Sequence, residues 1–402
     1  MTEVIVIGSG PAGLAAATEL ARAGRQVTVL EREAEAGGIP RHCGHYPYGL
    51  REFHRLLRGP DYAARLREAA LKAGVVIRTR TTVTALRPGG EVEITDDSGV
   101  ATLAARAVLL ATGVRETSRA ARLIGGDKPG GVLSTGALQG IVYLNHQSPF
   151  RRPVILGTEL VAFSALLTCR HAGIRPLAMV EPNARITARS PAIWLARLMG
   201  VPVHLQSDIT HIHGRAQVEG VTLATPAGRR ELATDGVIVT GGFRPDAMLL
   251  RASHLEVDAG SGGPVIDPWG RLSDPAYFAA GNLLRGVETA DWCWDEGRRT
   301  AGAILAALEG RLPQPEGSRI SLDHPALRLA VPQVVVAGGA EVVHRRLQIR
   351  LDRPVRGQLR LMQAGRVVSA ARVDSLPERR LSLALPQAPG SGPLTLSIRE
   401  KP

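Results

Sequence analysis

The first 31 residues restrict the fold of this chain more than any other segment. Residues 4–7 form a continuous apolar run, as in a strand that is buried on both faces of a parallel sheet. The turn GSGPAG follows at 8–13, an alanine-rich helix reaches about residue 23, and a second strand at 27–30 ends in Glu31. A glycine turn in this strand–helix–strand context is typical of a dinucleotide-binding unit.

Each glycine of this turn has its own physical role. Gly8 makes the tight turn, Gly10 leaves no side chain between the backbone and a pyrophosphate, and Gly13 lets the helix pack closely on the strand. Pro11 opens the helix at a position where a missing N–H does no harm. The helix N-terminus then points its positive dipole end at the phosphates, and Glu31 is placed to bond ribose hydroxyls.

Length, composition and charge narrow the class of protein. The 402 residues, 44% of them hydrophobic, suffice for two or three domains of an α/β protein. The formal net charge is +12, but only three of the 49 basic residues are lysines and the arginines are scattered. A nucleic-acid binder concentrates its charge in a stripe with a recognisable module. We therefore expect no nucleic-acid partner, and an anionic substrate, an acidic partner or peripheral contact with a membrane surface would explain the charge instead.

The cysteines and the apolar stretches exclude several further classes. Cys43, Cys169 and Cys293 lie far apart, which excludes a disulfide framework and argues against a local metal site. A strand begins at residue 3, which leaves no room for a signal peptide. The longest apolar stretch, residues 154–169, is interrupted by Glu159 and is too short to span a bilayer. We expect a soluble, cytoplasmic protein without a transmembrane segment.

Four further segments resemble the flavoproteins with two dinucleotide-binding domains, the pyridine nucleotide–disulfide oxidoreductase fold. They are Gly37–Gly38, VLLATG at 108–113, VIVTGG at 237–242 and YFAAGN at 277–282. The resemblance implies that FAD is the cofactor. Asn282 stands where the family carries an aspartate, and an asparagine can still bond a ribitol hydroxyl. The residues that the motif and the resemblance assign to FAD are Gly8, Gly10, Pro11, Ala12, Gly13, Glu31, Arg32, Gly38, Val83, Thr112, Gly113, Gly281 and Asn282.

The resemblance also implies the domain organisation. An FAD domain in two parts, residues 1–120 and 246–312, would be interrupted by an NAD(P)-type Rossmann domain at 121–245. Asp291 is the expected N-cap of a helix that reaches about residue 308. After a proline-rich joint, leucines alternate with polar residues, which predicts a small all-β, sandwich-like module at 316–402. Docking to a partner is the role we prefer for this module.

Residues 37–43 (GGIPRHC) and 112–117 (TGVRET) resemble one branch of the family. It contains opine oxidase A subunits, hydrogen cyanide synthase B subunits and flavoproteins associated with anaerobic glycerol-3-phosphate dehydrogenase. The resemblance implies an electron-transferring FAD oxidoreductase subunit of a dehydrogenase for an amino acid, amine, opine or glycerol 3-phosphate. Its partners would be a second flavoprotein subunit, a small iron–sulfur protein, or both. Two alternatives stay open: a free-standing NADH-dependent flavin reductase, and a non-catalytic assembly subunit with structural FAD.

Two absences restrict the chemistry further. The family's redox cysteine pair is replaced by Pro40 and His45, so we do not expect a disulfide reductase. Cys43 lies between His42 and His45, and imidazolium charge would lower its pKa and make a reactive thiolate; the alternative is a small packing residue beside the flavin. The two histidines are candidate proton donors or anion ligands, or structural residues.

The second absence is in the second glycine turn, GTELVA at 157–162. Glu159 replaces the glycine that would admit a pyrophosphate, at a cost of about 1–3 kcal/mol in dinucleotide binding. We therefore predict that NAD(P)H binding is impaired, unless the loop shifts. If the site does work, Glu181 at the end of the next strand favours NADH over NADPH, because its carboxylate repels a 2′-phosphate.

Overall fold

The computed structural model describes residues 2–336, 338, 342–377, 379–386 and 392–401. Met1 and Pro402, the outermost residues of the expected domains, lie outside this part. The elements up to residue 115 are β1 (Val4–Ile7), α1 (Pro11–Arg22), β2 (Val27–Leu30), α2 (Leu50–Phe53), α3 (Gly59–Lys72), β3 (Val76–Arg78), β4 (Thr82–Arg87), β5 (Glu91–Asp96), β6 (Gly99–Ala104), β7 (Ala107–Leu110) and β8 (Val114–Arg115).

A second set of elements follows up to residue 245. They are β9 (Gly125–Gly126), β10 (Val132–Ser134), α4 (Thr135–Gln139), β11 (Val154–Leu156), α5 (Leu160–His171), β12 (Ala178–Glu181), α6 (Ile193–Leu198), β13 (Val203–Leu205), β14 (Asp208–His213), β15 (Gly220–Thr225), β16 (Gly228–Ala233), β17 (Val237–Val239) and β18 (Arg244–Pro245).

The remaining elements are α7 (Met248–Arg251), β19 (Tyr277–Ala279), α8 (Ala290–Leu308), β20 (Ser318–Asp323), β21 (Leu327–Val331), β22 (Val334–Val335), β23 (Arg346–Leu351), β24 (Val355–Gln363), β25 (Arg366–Ser375), β26 (Leu381–Ala384) and β27 (Leu394–Glu400). Helix α8 has Thr289 as its N-cap, and Asp291 lies in its first turn, so the expected N-cap at Asp291 is wrong by two residues.

Two five-stranded parallel sheets form the centre of the molecule. The first has the order β19-β7-β1-β2-β3, and the second has the order β10-β17-β11-β12-β13. β1 and β7 are buried along their whole length, because α1, α3 and α8 cover one face of the sheet and the β4–β5–β6 meander covers the other. We call the part with the first sheet (residues 2–115 and 246–308) the first unit and the part with the second sheet (116–245) the second unit. The expected pair of Rossmann-like sheets is confirmed.

The chain crosses between the two units twice, and the crossings lie side by side. β8 pairs antiparallel with β18, in the register Arg115–Arg244 and Val114–Pro245. The Thr112 hydroxyl also donates to the Asp246 carbonyl oxygen at 2.9 Å. The same two segments therefore connect the units covalently and hold each other by hydrogen bonds.

The residues after 316 form two antiparallel-rich sheets packed face to face, which we call the C-terminal module. One has the order β22-β20-β27-β24-β25 and the other the order β21-β23-β26. Their alternating leucines, such as Leu347, Leu359 and Leu396, meet in a buried core between the sheets. The expected all-β module is confirmed.

The C-terminal module also shares core residues with the first unit. Leu329 and Val331 pack in one apolar cluster with Ile266, and Val343 packs in another with Trp269. The backbone N–H of His344 donates to the Pro268 carbonyl at 2.9 Å. The module is thus built onto the first unit. Among the described residues, no helix is both long enough and apolar enough to cross a membrane.

Candidate functional site

The carboxyl ends of four parallel strands bring the predicted cofactor residues to one edge of the first sheet. Hydrogen bonds continue one residue past the strands, from Gly8 N to Leu30 O at 2.9 Å and from Ala111 N to Ile7 O at 2.8 Å. β7 and β19 lie on one side of β1, and β2 lies on the other. The site is therefore at the point where the strand order reverses, which is where ligands bind in open α/β sheets.

The glycines of the first turn differ in what surrounds them. A methyl group on Gly8 would lie 2.6 Å from the Ala111 carbonyl oxygen, and one on Gly13 would lie 2.0 Å from the Gly8 carbonyl oxygen. Packing therefore demands these two glycines. A methyl group on Gly10 would have no atom within 4 Å, and its φ of −72° suits any residue. Nothing in the protein itself demands a glycine at this position, and the open space in front of α1 has room for a ligand.

Helix α1 suits an anion at its N-terminus. It begins at Pro11, continues through Ala12, and has no acidic residue in its first turn and no side chain that caps it. The first N–H groups of a helix lack partners within the helix, and they carry its positive dipole end. A pyrophosphate in front of Gly10 would satisfy both features.

Glu31 anchors the glycine turn from the end of β2. One carboxylate oxygen accepts from the Ser9 N–H at 3.1 Å and from the Ser9 hydroxyl, and the other accepts from the Glu33 N–H at 2.9 Å. Its neighbour Arg32 is exposed and lies 3.6 Å from the Asp246 carboxylate, across the second crossing. Glu31 thus faces the turn, and Arg32 lies at its border.

Gly38 and Val83 border the same edge in different ways. A methyl group on Gly38 would lie 2.7 Å from the Gly10 Cα, so residues 37–38 lie directly against the turn. The side chain of Val83 is buried in the core of the first unit, between the sheet and the β4–β5–β6 meander. Only the backbone of Val83 is thus available to a ligand.

The other side of this edge, after β7 and β19, is bordered by Thr112, Gly113, Gly281 and Asn282. Gly113 has a φ of 76° and open space at its Cβ position. A methyl group on Gly281 would lie 2.9 Å from the Ala12 Cβ. The Asn282 amide donates to the Glu288 carbonyl at 3.1 Å, and its carbonyl oxygen accepts from the Glu288 N–H at 2.6 Å. Asn282 therefore closes the 282–288 loop, and bonding a ribitol hydroxyl would require exchanging one of these contacts.

Cys43 lies in a buried environment that suppresses its reactivity. Burial raises the pKa of its thiol to about 11, the opposite direction to the one that the reactive-thiolate interpretation requires. The thiol donates to the Gln139 side-chain oxygen at 3.3 Å. Burial and the neighbouring charge of Arg41 lower the pKa of His42, whose Nδ1 is buried without a hydrogen-bond partner among the described residues. Of the two candidate histidines, only His42 has a ring nitrogen without a hydrogen-bond partner among the described residues, because Tyr46 and Ser164 contact the two nitrogens of His45.

A chain of polar contacts links Cys43 and His45 to the second unit. The Gln139 amide, on α4, donates to the Ser164 hydroxyl at 2.7 Å, and the same hydroxyl meets His45 Nε2 at 2.5 Å. The 3₁₀ helix at Ile39–His42 and the loop after it therefore rest on α4 and α5. The sequence contained no motif for Gln139 or Ser164, because their role depends on contact between segments more than 90 residues apart.

The second glycine turn carries the expected glutamate, and its carboxylate occupies the turn itself. A methyl group on Gly157 would lie 2.4 Å from a Glu159 carboxylate oxygen, and one on Gly241 would lie 2.3 Å from the other. The Thr240 hydroxyl donates to Glu159 at 2.9 Å. Burial raises the pKa of the Glu159 carboxyl to about 7. The space that the first turn leaves open at Gly10 is filled by a side chain in the second turn.

A cleft of about 240 Å³ remains at the carboxyl edge of the second sheet. Glu159, Glu181 and Arg122 line it on the side of the second unit, and Leu376 and Pro377 of the C-terminal module line it as well. Glu181 already accepts hydrogen bonds from the Thr158 hydroxyl and from the Asn183 N–H and amide. A dinucleotide would have to compete for these contacts. The sequence contained no signal that the C-terminal module reaches this cleft.

Known proteins share this architecture. The family model of the pyridine nucleotide-disulphide oxidoreductases matches residues 2–297. The A subunit of the opine oxidase of Rhizobium meliloti (strain 1021) is 27% identical over 333 residues, which cover 76% of this chain and 71% of that protein. The small chain of the NADPH glutamate synthase of Escherichia coli (strain K12) is 27% identical over 344 residues, which cover 76% of this chain and 69% of that protein.

A solved structure shows the same fold. The crystal structure of T. acidophilum thioredoxin reductase superimposes with a TM-score of 0.64 at 22% identity, and the match covers 76% of this chain and 98% of that chain. The open first turn and its helix N-terminus fit FAD, and the family match covers both units. This chain therefore belongs to the pyridine nucleotide-disulphide oxidoreductase family and is an FAD-dependent oxidoreductase.

Proposed function

We propose that this protein is an electron-transferring FAD subunit of a multi-subunit dehydrogenase, and that its electrons do not come from NAD(P)H. One observation carries the proposal: the first glycine turn is open in front of Gly10, while the Glu159 carboxylate fills the second turn. FAD, when bound, accepts two electrons from a donor and passes them to an acceptor. A second turn blocked by a carboxylate leaves a partner or a small-molecule substrate as the donor.

Two further observations support the proposal. Pro40 and His45 stand where a redox cysteine pair would be, and the three cysteines of the chain are buried and free. Two similar proteins are named as the A subunit of opine oxidase and the small chain of glutamate synthase, so both are parts of larger enzymes. An amino acid, an amine, an opine or glycerol 3-phosphate is the class of substrate we propose for the assembly. A second flavoprotein subunit, an iron–sulfur protein, or both would be its partners.

Different residues at the carboxyl edge of the first sheet would bind different parts of FAD. The N-terminus of α1 at Gly10–Gly13 would hold the pyrophosphate, and Glu31 would bond the adenosine ribose in exchange for its contacts to Ser9. The rest of the FAD would be lined by Gly38, the backbone of Val83, Thr112–Gly113 and Gly281–Asn282. Arg32 would lie at the border of the site. We assign these roles together with the division into domains at about residues 120, 245 and 312.

The three residues around the loop at 42–45 receive different roles. Cys43, with its raised thiol pKa, is a packing residue. His45 ties the loop to Ser164 of the second unit. His42, whose pKa is lowered, is neutral near pH 7 and is the one we propose as a contact for flavin or substrate.

Anaerobic titration with NADH tests the proposed electron source. FAD in the purified wild-type chain should keep its absorbance at stoichiometric NADH. In Glu159→Gly, where the carboxylate is gone, binding of NADH should tighten by about tenfold or more. Rapid NADH oxidation by the wild-type chain alone with a simple acceptor would overturn the proposal and establish a free-standing flavin reductase. The complete second sheet and its cleft are the observations that favour this alternative.

Copurification tests the proposed place in a larger enzyme. The tagged chain, expressed from its native host at natural levels, should purify with a second redox protein, and the complex should reduce its FAD with one substrate of the proposed classes. A chain that purifies alone and whose FAD is reduced by such a substrate without any partner would contradict this part of the proposal.

A further inference from the structure

A network of buried charges joins the C-terminal module to the strand end that borders the cofactor edge. We call residues 281–288 the flavin-closing segment. The Glu296 carboxylate, on α8, accepts from the Gly281 N–H at 2.8 Å. Arg285 donates to the same carboxylate at 2.7 Å and 3.3 Å. Arg285 and Glu296 are only 2% exposed, so this ion pair is out of reach of water.

The module supplies the second layer of this network. The Arg285 Nε donates to the Gln348 side-chain oxygen, on β23, at 2.6 Å. Arg350, on the same strand, donates to the Glu288 carboxylate at 2.6 Å. Arg380, just before β26, lies 3.1 Å from the other Glu288 oxygen. The middle of the flavin-closing segment, at Arg285, and its end, at Glu288, are therefore held by side chains from more than 60 residues further along the chain.

The surface layer of the same contact is aromatic. The Arg380 guanidinium carbon lies 4.0 Å from the ring centroid of Trp292, at the start of α8, and that of Arg51 lies 4.4 Å from the same ring. Trp292 therefore lies between a cation of the module and a cation of the first unit. Such cation–π pairs stabilise contacts at protein surfaces.

We propose that Gln348 and Arg350 of the C-terminal module are positioning residues for FAD. They act through Arg285–Glu296 and through Glu288, and so set where the backbone of Gly281 and Asn282 meets the cofactor. A buried carboxylate that loses one of its partners must find another or move, because an uncompensated charge is costly away from water. Displacement of Glu296 would carry Gly281 with it, since the two are hydrogen-bonded. The module is thus part of the flavin site, whichever donor supplies the electrons.

Two variants test this role, each with a conservative counterpart. Gln348→Leu removes the acceptor for Arg285, and Gln348→Glu keeps it. Arg350→Met removes the donor to Glu288, and Arg350→Lys keeps one. The measurements are the Kd of the apoprotein for FAD and the midpoint potential of the bound FAD. We expect Gln348→Leu and Arg350→Met each to weaken FAD binding about tenfold and to shift the potential, and the conservative variants to restore both.

Leu359→Ala is the matched control. Leu359 is buried in the module's own core, and its side chain has no polar group that could join the network, so its truncation should lower the stability of the module without changing the Kd for FAD. Wild-type Kd and potential in both test variants would overturn the proposal. A loss of FAD binding in Leu359→Ala equal to theirs would overturn it too, because module stability alone would then explain the effect. If Arg350→Met does not fold, Arg380→Met tests the same carboxylate from the surface, with about a threefold loss expected.

Discussion

The Thr240 hydroxyl donates a hydrogen bond of 2.9 Å to the Glu159 carboxylate. Thr240 follows β17, and Glu159 is the N-cap residue of α5. The bond therefore connects the end of β17 to the start of α5, across the second glycine turn. Arg122 braces it by donating to the Thr240 carbonyl oxygen. The same position of the first turn is Gly10, with open space before it. At this position the two glycine turns therefore differ: the first leaves open space in front of its helix, and the second is filled by a carboxylate.

Glu159 should make stability depend on pH. Because its pKa is raised from 4.5 to about 7, folding favours the protonated carboxyl. Its contribution to stability is fully present below about pH 4.5 and is lost as the pH rises through 7. Glu159→Gln should therefore stabilise the protein at pH 8 by about 2–3 kcal/mol and change little at pH 4.5. Urea unfolding at both pH values measures this difference.

The control for that experiment is Glu68→Gln, which changes an exposed carboxylate on α3. It should alter the free energy of unfolding by less than about 0.5 kcal/mol at either pH. An equal gain from Glu159→Gln at both pH values would show that shape, and not charge, is the source of the effect.

Gly10→Ala should separate FAD binding from folding. The new methyl group has no protein atom within 4 Å, and φ is −72°, so the apoprotein should unfold at the wild-type urea concentration. The new methyl group would lie between the backbone and the pyrophosphate, so FAD should bind about tenfold to a hundredfold more weakly. Quenching of FAD fluorescence by the apoprotein gives the Kd.

Gly302→Ala is the matched change for Gly10→Ala. Gly302 also has no atom within 4 Å of its Cβ position, but it lies in the interior of α8. Its replacement should leave the Kd for FAD unchanged and raise stability by up to about 1 kcal/mol. Equal Kd values in wild type and Gly10→Ala would place the pyrophosphate elsewhere.

Cys43 should be inert in the folded protein. With a thiol pKa of about 11, roughly one part in a thousand is thiolate at pH 8. Iodoacetamide should therefore leave Cys43 unmodified in the native protein and label it rapidly in urea, as mass spectrometry of the peptide will show. Cys43→Ala should keep the absorption spectrum of bound FAD. Fast labelling of Cys43 in the native protein would revive the reactive-thiolate interpretation.

Ser164→Ala should loosen the contact between the two units. Its hydroxyl joins His45 Nε2 to the Gln139 amide, and its removal leaves both without that partner. We expect a loss of about 1–2 kcal/mol in the free energy of unfolding and faster proteolysis near the crossings. Ser148→Ala, which removes an exposed hydroxyl bonded within the second unit, should have little effect. A stability equal to wild type in Ser164→Ala would mean that the polar chain does not hold the units together.

Much of this protein follows from the sequence alone because the relevant constraints are local. The places of Gly8 and Gly13 in a six-residue turn predict their structural roles, and the structure shows the close contacts that demand these two glycines. Alternation in the tail predicted strands around Leu347, Leu359 and Leu396, since a half-buried strand needs every second residue apolar. Glu159 stood out because it breaks a short motif.

Only the tertiary structure decides the properties of a side chain that depend on long-range contacts. Burial raises the pKa of the Cys43 thiol, although neighbouring histidines in the sequence suggest the opposite. Asn282 bonds the Glu288 backbone, and Arg285 meets Gln348, 63 residues away. Strand and helix patterns repeat over a few residues, so they can be recognised in the sequence itself. The solvation and partners of a side chain depend on which distant segments fold against it, and only the assembled structure determines them.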